Sequence, residues 1–285
     1  MLRAVTHEQV TRFVSEVVRP DLLTLVISGS FDRAAMLRAT EVLLRDVPAA
    51  GPLGPRPTVA GPVAPARRLT LVDVPGALQA TVMFASAMTP AGSEDWATQR
   101  VLGELFGGSF SSRLNMLLRE RYGLTYGFGA RFGGGLRQDT LSGDGAVVRE
   151  RAAEAVKALV DEASRLARGE VDGPEVDAAR DRQIKHLEGS FETPTEAASL
   201  VADALRLGGG PGELRQRVER LRSVDLAAVR RLAPARIDPS RLQFVVAGDA
   251  ASLEAPLRAL SLGPLDVIRR PVAVSQPAPS TTVQP

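Results

Sequence analysis

The chain has 285 residues, of which 44% are hydrophobic, and its 35 basic and 33 acidic residues leave a net charge of only +2; that is enough chain for one large domain or two modest ones. No apolar run approaches the roughly 18 residues that mark a membrane span, and cysteine is absent, which excludes disulfides, thiolate metal sites and Cys nucleophiles. The basic residues are almost all Arg, with Lys157 and Lys185 the only lysines, and they form no block interleaved with aromatics, so nucleic acid is a poor partner.

Met1 to Glu8 lacks a basic stretch followed by an apolar one and does not read as a signal peptide. The compartment, cytoplasmic or periplasmic, stays open. Val5 to Val18 reads as a helix with Thr6 at its N-cap. Leu22 to Ser28, short and β-branched, reads as a strand. Phe31 to Val47 is a helix with Met36, Ala39, Leu43 and Val47 on one face. Six prolines between Pro48 and Arg67 mark a linker. Leu69 to Val74 and Leu78 to Ser86 are strands. Glu94 to Phe106 is a helix stopped by Gly107-Gly108, and Ser111 to Tyr122 is another. Thr125 to Phe132 and Thr140 to Val148 read as a strand pair.

Helices dominate the chain beyond Val148. Glu150 to Arg168 ends at a Gly169 cap, and Val176 to Phe191 has one apolar face. Thr193-Pro194-Thr195-Glu196 is a capping box that opens a helix running to Gly208-Gly209-Gly210. Shorter helices cover Glu213 to Arg222 and Asp225 to Leu232. Leu242 to Ala247 is a last strand and Leu253 to Leu260 a last helix. The Pro/Ser/Thr-rich end reads as disordered. Paired strands and grouped helices predict an α+β fold with a mainly antiparallel sheet packed against a group of helices.

The two ends repeat. Shifted by 219 residues, Arg3, Val5, Val10, Arg12, Pro20, Leu23, Val26 and Gly29 match Arg222, Val224, Val229, Arg231, Pro239, Leu242, Val245 and Gly248. Chance gives roughly two or three such identities in this composition. Both copies read helix, Pro, strand, Gly, helix. A spacing of this size is that of duplicated domains. The organisation it predicts is residues 1–50 as the tail of a preceding homologous domain, 51–67 as a linker, 68–268 as a complete domain and 269–285 as a disordered tail.

Gly107 to Gly127 reads GGSFSSRLNMLLRERYGLTYG. Gly-Gly, then Ser112-Arg113-Leu114, Leu118-Arg119-Glu120 and Gly123-Leu124-Thr125-Tyr126 follow in order. This segment resembles the second-domain signature of the pitrilysin and mitochondrial-processing-peptidase superfamily, the inverted-zincin zinc peptidases. Val5-Thr6, Val26-Ile27-Ser28-Gly29 and Phe31-Asp32 are similar to that family's passage out of its first domain. The resemblance implies a fold of the LuxS and processing-peptidase type. It also implies a clamshell, in which a first domain carries zinc on His-x-x-Glu-His and the second supplies an Arg and a Tyr to the substrate backbone. Arg119 and Tyr126 stand at that seven-residue spacing.

The residues themselves support such a role. On a helix from Ser111, with Phe110, Leu114, Leu117 and Leu118 as the apolar face, Arg119 lies roughly 140° from Leu114 and points away from the core. Gly123 ends the helix and Tyr126 begins the next strand, so both side chains can border a cleft. When a metal-activated water attacks a peptide carbonyl, a guanidinium and a phenol aimed at the oxygen stabilise its growing charge. Arg113, Glu120, Arg121 and Tyr122 read as surface or helix-pairing groups.

The chain's own zinc chemistry is missing. Zinc needs His, Cys or carboxylate ligands at fixed spacing, and the two histidines, His7 and His186, belong to no such pattern. The expectation is therefore no cofactor in this chain, with zinc in a partner domain. The partners are then a His-x-x-Glu-His domain, a peptide substrate and, through an unpaired Leu22 to Ser28, another copy of the chain. Alone the chain is expected to be inactive. Two other readings stand beside this one: an inactive scaffold subunit of the same fold, and an unrelated α+β peptide-binding module.

Overall fold

The computed structural model describes residues 4–19, 22–47, 66–89, 94–133, 138–206 and 209–269. It opens with α1, His7–Val17, behind a capping box in which the Thr6 side chain accepts from the Gln9 N–H and the Gln9 side chain accepts from the Thr6 N–H. α2, Arg33–Leu44, follows an Asp32 cap. Neither helix buries a residue. The strand expected at Leu22–Ser28 does not form; the segment is irregular, and Leu23, Leu25 and Ile27 are 39–53% exposed. A strand is completed by a neighbour that takes up its N–H and C=O groups, and among the described residues none pairs with it.

The rest of the chain builds one mixed sheet under a layer of helices. Its strands are β1 Arg68–Asp73, β2 Gln79–Met88, β3 Gly129–Gly133, β4 Asp139–Val148, β5 Gln243–Gly248 and β6 Leu265–Ile268, in the order β3-β4-β2-β5-β1-β6. β2 runs antiparallel to β4 and β5, and β3 antiparallel to β4, whereas β1 runs parallel to β5 and β6. This is the α+β class expected. β6 is not legible in the sequence, because four residues at a sheet edge carry little periodic signal.

The helices are α3 Trp96–Gly103, α4 Arg113–Asn115, α5 Ala152–Ala167, α6 Gly173–Gly189, α7 Pro194–Arg206, α8 Pro211–Arg222, α9 Leu226–Arg236 and α10 Ala250–Ala259. Thr193 and Glu196 form the anticipated cap of α7. Gly169, at φ +73°, closes α5 as expected. The linker, apart from Ala66 and Arg67, and the tail beyond Arg269 lie outside the described residues, as do Gly134 and Gly135.

Alternation along β2 separates the sheet's two faces. Ala80, Val82, Phe84 and Ser86 are buried, while Gln79, Thr81, Met83 and Ala85 are exposed. On the covered face, Phe84 sits about 6 Å from Phe106, Phe128 and Phe244, joining three parts of the chain. Leu71, Val246, Leu102, Leu118, Val156 and Leu159 complete the same core. Burying each such side chain contributes about 1.5–3 kcal/mol. On the other face Met83 and Val245, paired in register, remain 48% and 38% exposed.

Candidate functional site

The segment that carries Arg119 is wound differently from an ordinary helix. α3 continues as a π turn over Glu104–Gly108, and α4 continues as a second over Met116–Arg121. Gly107-Gly108, expected as a helix stop, lies inside the first turn. Its glycines serve close approach: a Cβ on Gly107 would come within 2.4–2.9 Å of Ala130 in β3. π turns of this kind are rare and concentrate at functional sites.

The second π turn ends where the Leu124 N–H donates to the Leu118 carbonyl and Gly123 turns at φ +60°. A side chain at that φ is strained, so Gly123 suits the reversal. Leu114 and Leu118 are fully buried and Leu117 is partly so. Phe110 is not on that face: it precedes the helix and is 71% exposed.

Arg119 leaves the core as expected, its side chain 40% exposed. Its guanidinium lies 5.1 Å from the Phe110 ring centroid, and its Nε is 3.4 Å from Glu120. A cation over an exposed ring contributes about 0.5–1 kcal/mol and an exposed pair less still. The Arg is therefore lightly held and can turn to a ligand.

Tyr126 is 91% exposed. It does not begin a strand, because β3 starts only at Gly129. The loop before β3 is fastened differently. The Thr125 hydroxyl donates to Ala146 O and accepts from the Gly127 N–H, and Leu124 O accepts from Val148 N–H. Leu124 and Phe128 are buried on either side, which leaves Tyr126 at the crest. No hydrogen bond or cation–π contact joins Arg119 to Tyr126 among the described residues.

What links the two is Asn115, a residue that no sequence motif singles out. It is 5% exposed. Its Nδ2 donates to Ser109 O, Ser112 Oγ and Phe128 O, and its Oδ1 accepts from the Phe128 N–H. One amide thus ties the loop carrying Phe110 to the loop carrying Tyr126. A buried amide bonded through both its nitrogen and its oxygen fixes geometry, because each lost partner leaves an unsatisfied group. The signal that could have found it is an Asn in mid-helix, a residue that commonly bonds backbone outside the helix.

Arg113 turns out to be internal. Its guanidinium pairs with Glu175 of α6 and Glu162 of α5, with its side chain 13% exposed. Burial pulls its pKa down, but the two carboxylates outweigh that and raise it. It bolts the helices beneath the site. Glu120, Arg121 and Tyr122 lie at the surface or half-buried, as expected.

Among the described residues no three His, Cys, Asp or Glu side chains gather where an ion could sit. His7 lies on α1 and His186 on α6, both exposed. No helix among the described residues is long and apolar enough to cross a membrane.

Comparison with known proteins bears on these features. Residues 4–183 match the family model described as the peptidase M16 inactive domain. No curated protein matches. Among solved structures, a protease from Helicobacter pylori superposes with a TM-score of 0.77 at 16% identity, over 87% of this chain and 60% of that one. The peptidase M16 inactive domain from Pseudomonas fluorescens gives 0.71 at 16%, over 86% and 58%. The first half of the periplasmic protease PqqL from Escherichia coli gives 0.65 at 16%, over 90% and 59%. The likeness is one of fold, and the chain spans about three fifths of the length of each of these structures.

Proposed function

Because the chain belongs to the peptidase M16 family, through that family's inactive domain, we propose that it is the non-catalytic, substrate-binding half of a clamshell zinc metallopeptidase. The zinc belongs to a partner domain bearing His-x-x-Glu-His, which supplies the metal chemistry of peptide hydrolysis. This chain's part is to hold the substrate. The Arg119 guanidinium and the Tyr126 hydroxyl donate to the carbonyl oxygen of the bond to be cut, more strongly as charge develops there. The observation that carries this reading is the Asn115 clamp, which commits a buried amide to fixing two loops whose exposed tips are Phe110 under Arg119, and Tyr126.

Residues 1–50 are, on the same reading, the tail of a preceding homologous domain, and residues 68–268 the complete second one. Leu23, Leu25 and Ile27 face outward because their sheet belongs to the partner. In the isolated chain the same segment drives self-association. Leu25→Lys should abolish it in sedimentation runs, and a wild type that stays monomeric at high concentration rejects it. A scaffold subunit is the second reading; it shares the exposed docking segment but makes no use of Arg119 and Tyr126.

The deciding experiment is peptide hydrolysis by the chain alone and with a His-x-x-Glu-His partner domain plus zinc. Activity is expected only in the mixture, with Tyr126→Phe and Arg119→Gln each lowering kcat by about 10²-fold, the usual worth of a transition-state donor. Tight partner binding with no hydrolysis, or full activity in both variants, favours the scaffold.

A further inference from the structure

A second site lies on the first π turn. A cavity of about 430 Å³ opens between β3, α3 and α6, walled on one side by Glu104 and Gly108. Three arginines line it: Arg100, Arg131 and Arg182. Behind them lies a polar network whose inner members, Glu104 and Gln183, are buried. Arg182 donates through Nε to Glu104 Oε1, Gln183 donates to Glu104 Oε2, and Arg100 donates through Nε to Gln183 Oε1. Glu104 and Gln183 are 8% and 9% exposed. Both oxygens of the one carboxylate in the network are therefore committed internally.

This arrangement leaves the cations incompletely used. Arg100 and Arg182 are each gripped by Nε alone, and among the described residues their terminal Nη groups have no hydrogen-bond partner. Arg131 has neither hydrogen bond nor ion pair among the described residues, and it is exposed. Arg100, like Arg131, is exposed. Gln99, also in the wall and 7% exposed, donates to Asp139 and keeps an unpartnered Oε1. Guanidinium forks held at one edge and open at the other have the geometry that grips a carboxylate with two parallel bonds.

We propose that this cavity is a carboxylate-binding subsite for peptide, in which the open edges of the Arg100 and Arg182 guanidiniums, assisted by Arg131, hold a carboxylate of the ligand. That the ligand is a peptide rests on the proposed function; that it is anionic rests on the cavity. The carboxylate has two sources, the chain terminus or an Asp or Glu side chain. The test is fluorescence anisotropy on the whole chain without any partner domain. Three labelled peptides of one neutral sequence serve as probes: free C-terminus, C-terminal amide, and amide with one internal Glu.

The amide is expected to bind about tenfold more weakly than the better of the other two, whose ranking identifies the source. Arg100→Gln and Arg131→Gln should each weaken the acidic probe, Arg100 by about tenfold, and leave the amide unchanged. Arg100→Lys, which keeps charge but loses the fork, should fall between. Both glutamine variants spare the Arg182–Glu104 pair, and unchanged thermal unfolding confirms that they fold. Equal affinity for all three peptides, or acidic-probe binding untouched in both variants, overturns the proposal. Because no hydrolysis is read, that failure would leave the clamshell assignment standing, and failure of the hydrolysis assay would leave this subsite standing.

Discussion

Residues 4–29 and 223–248 are two copies of one pattern, with seven identities in 26 positions. Thr6 and Asp225 both cap their helices, and those helices run His7–Val17 and Leu226–Arg236, in register with the repeat. After that the copies part. Leu23, Leu25 and Ile27 are 42%, 53% and 39% exposed, whereas Leu242, Phe244 and Val246 are each 1% exposed. Val10 and Val14 are half exposed where Val229 and Ala233 are fully buried. The helix needs only its own sequence, because its hydrogen bonds close within the segment. The strand needs a neighbour, and of the two copies only β5 has one among the described residues, in fact two, β1 and β2. Helix propensity travels with a segment; strand structure belongs to the sheet it joins.

Four measurements test that contrast. The largest effect should appear in amide hydrogen exchange. The β5 amides should exchange only through global unfolding, and those of Leu23 to Ile27 nearly freely, a difference of at least about 10³-fold. Comparable protection would mean that the first copy has found a sheet. Next comes core truncation. Phe244→Ala should cost about 3–5 kcal/mol in urea unfolding, while Leu25→Ala stays within about 0.5 kcal/mol; equal costs would erase the distinction. Adding the partner domain should reverse part of this, with Leu25→Ala then weakening association. Caps give the smallest effect. Asp225→Ala should cost about 1 kcal/mol of global stability, and Thr6→Ala should change only the helical content of α1, seen by circular dichroism.

The same logic separates what is legible in the sequence from what is not. Helices with capping boxes, such as α7, and strands with alternating burial, such as β2, announce themselves locally, and the fold class comes from their order. Leu22–Ser28 misleads because a strand pattern says nothing about whether a partner is present. Arg119 lies outside the core as its spacing predicts, but its turn is a π turn, and its ring partner Phe110 stands outside the helix. Tyr126 reads as a strand residue because Thr125 looks β-prone; the Thr125 hydroxyl instead takes the Ala146 carbonyl and shapes a loop. Asn115 and the Arg100–Gln183–Glu104–Arg182 chain are invisible in the sequence because their meaning lies in residues far along the chain.

The position of β5 also sets the order in which the domain can be made. β1 and β2 follow one another in the chain but do not touch; β5 lies between them. A ribosome delivers β5 after β1 to β4, and β6 later still, so the β3-β4-β2 sheet must wait with β2 as a raw inner edge while β1 waits without a partner. Such edges invite the wrong neighbour, and the late, distant closure makes for slow folding. A nascent chain stalled before Gln243 is therefore a three-stranded sheet with an open β2 edge and a solitary β1, a species for a chaperone to hold until β5 arrives.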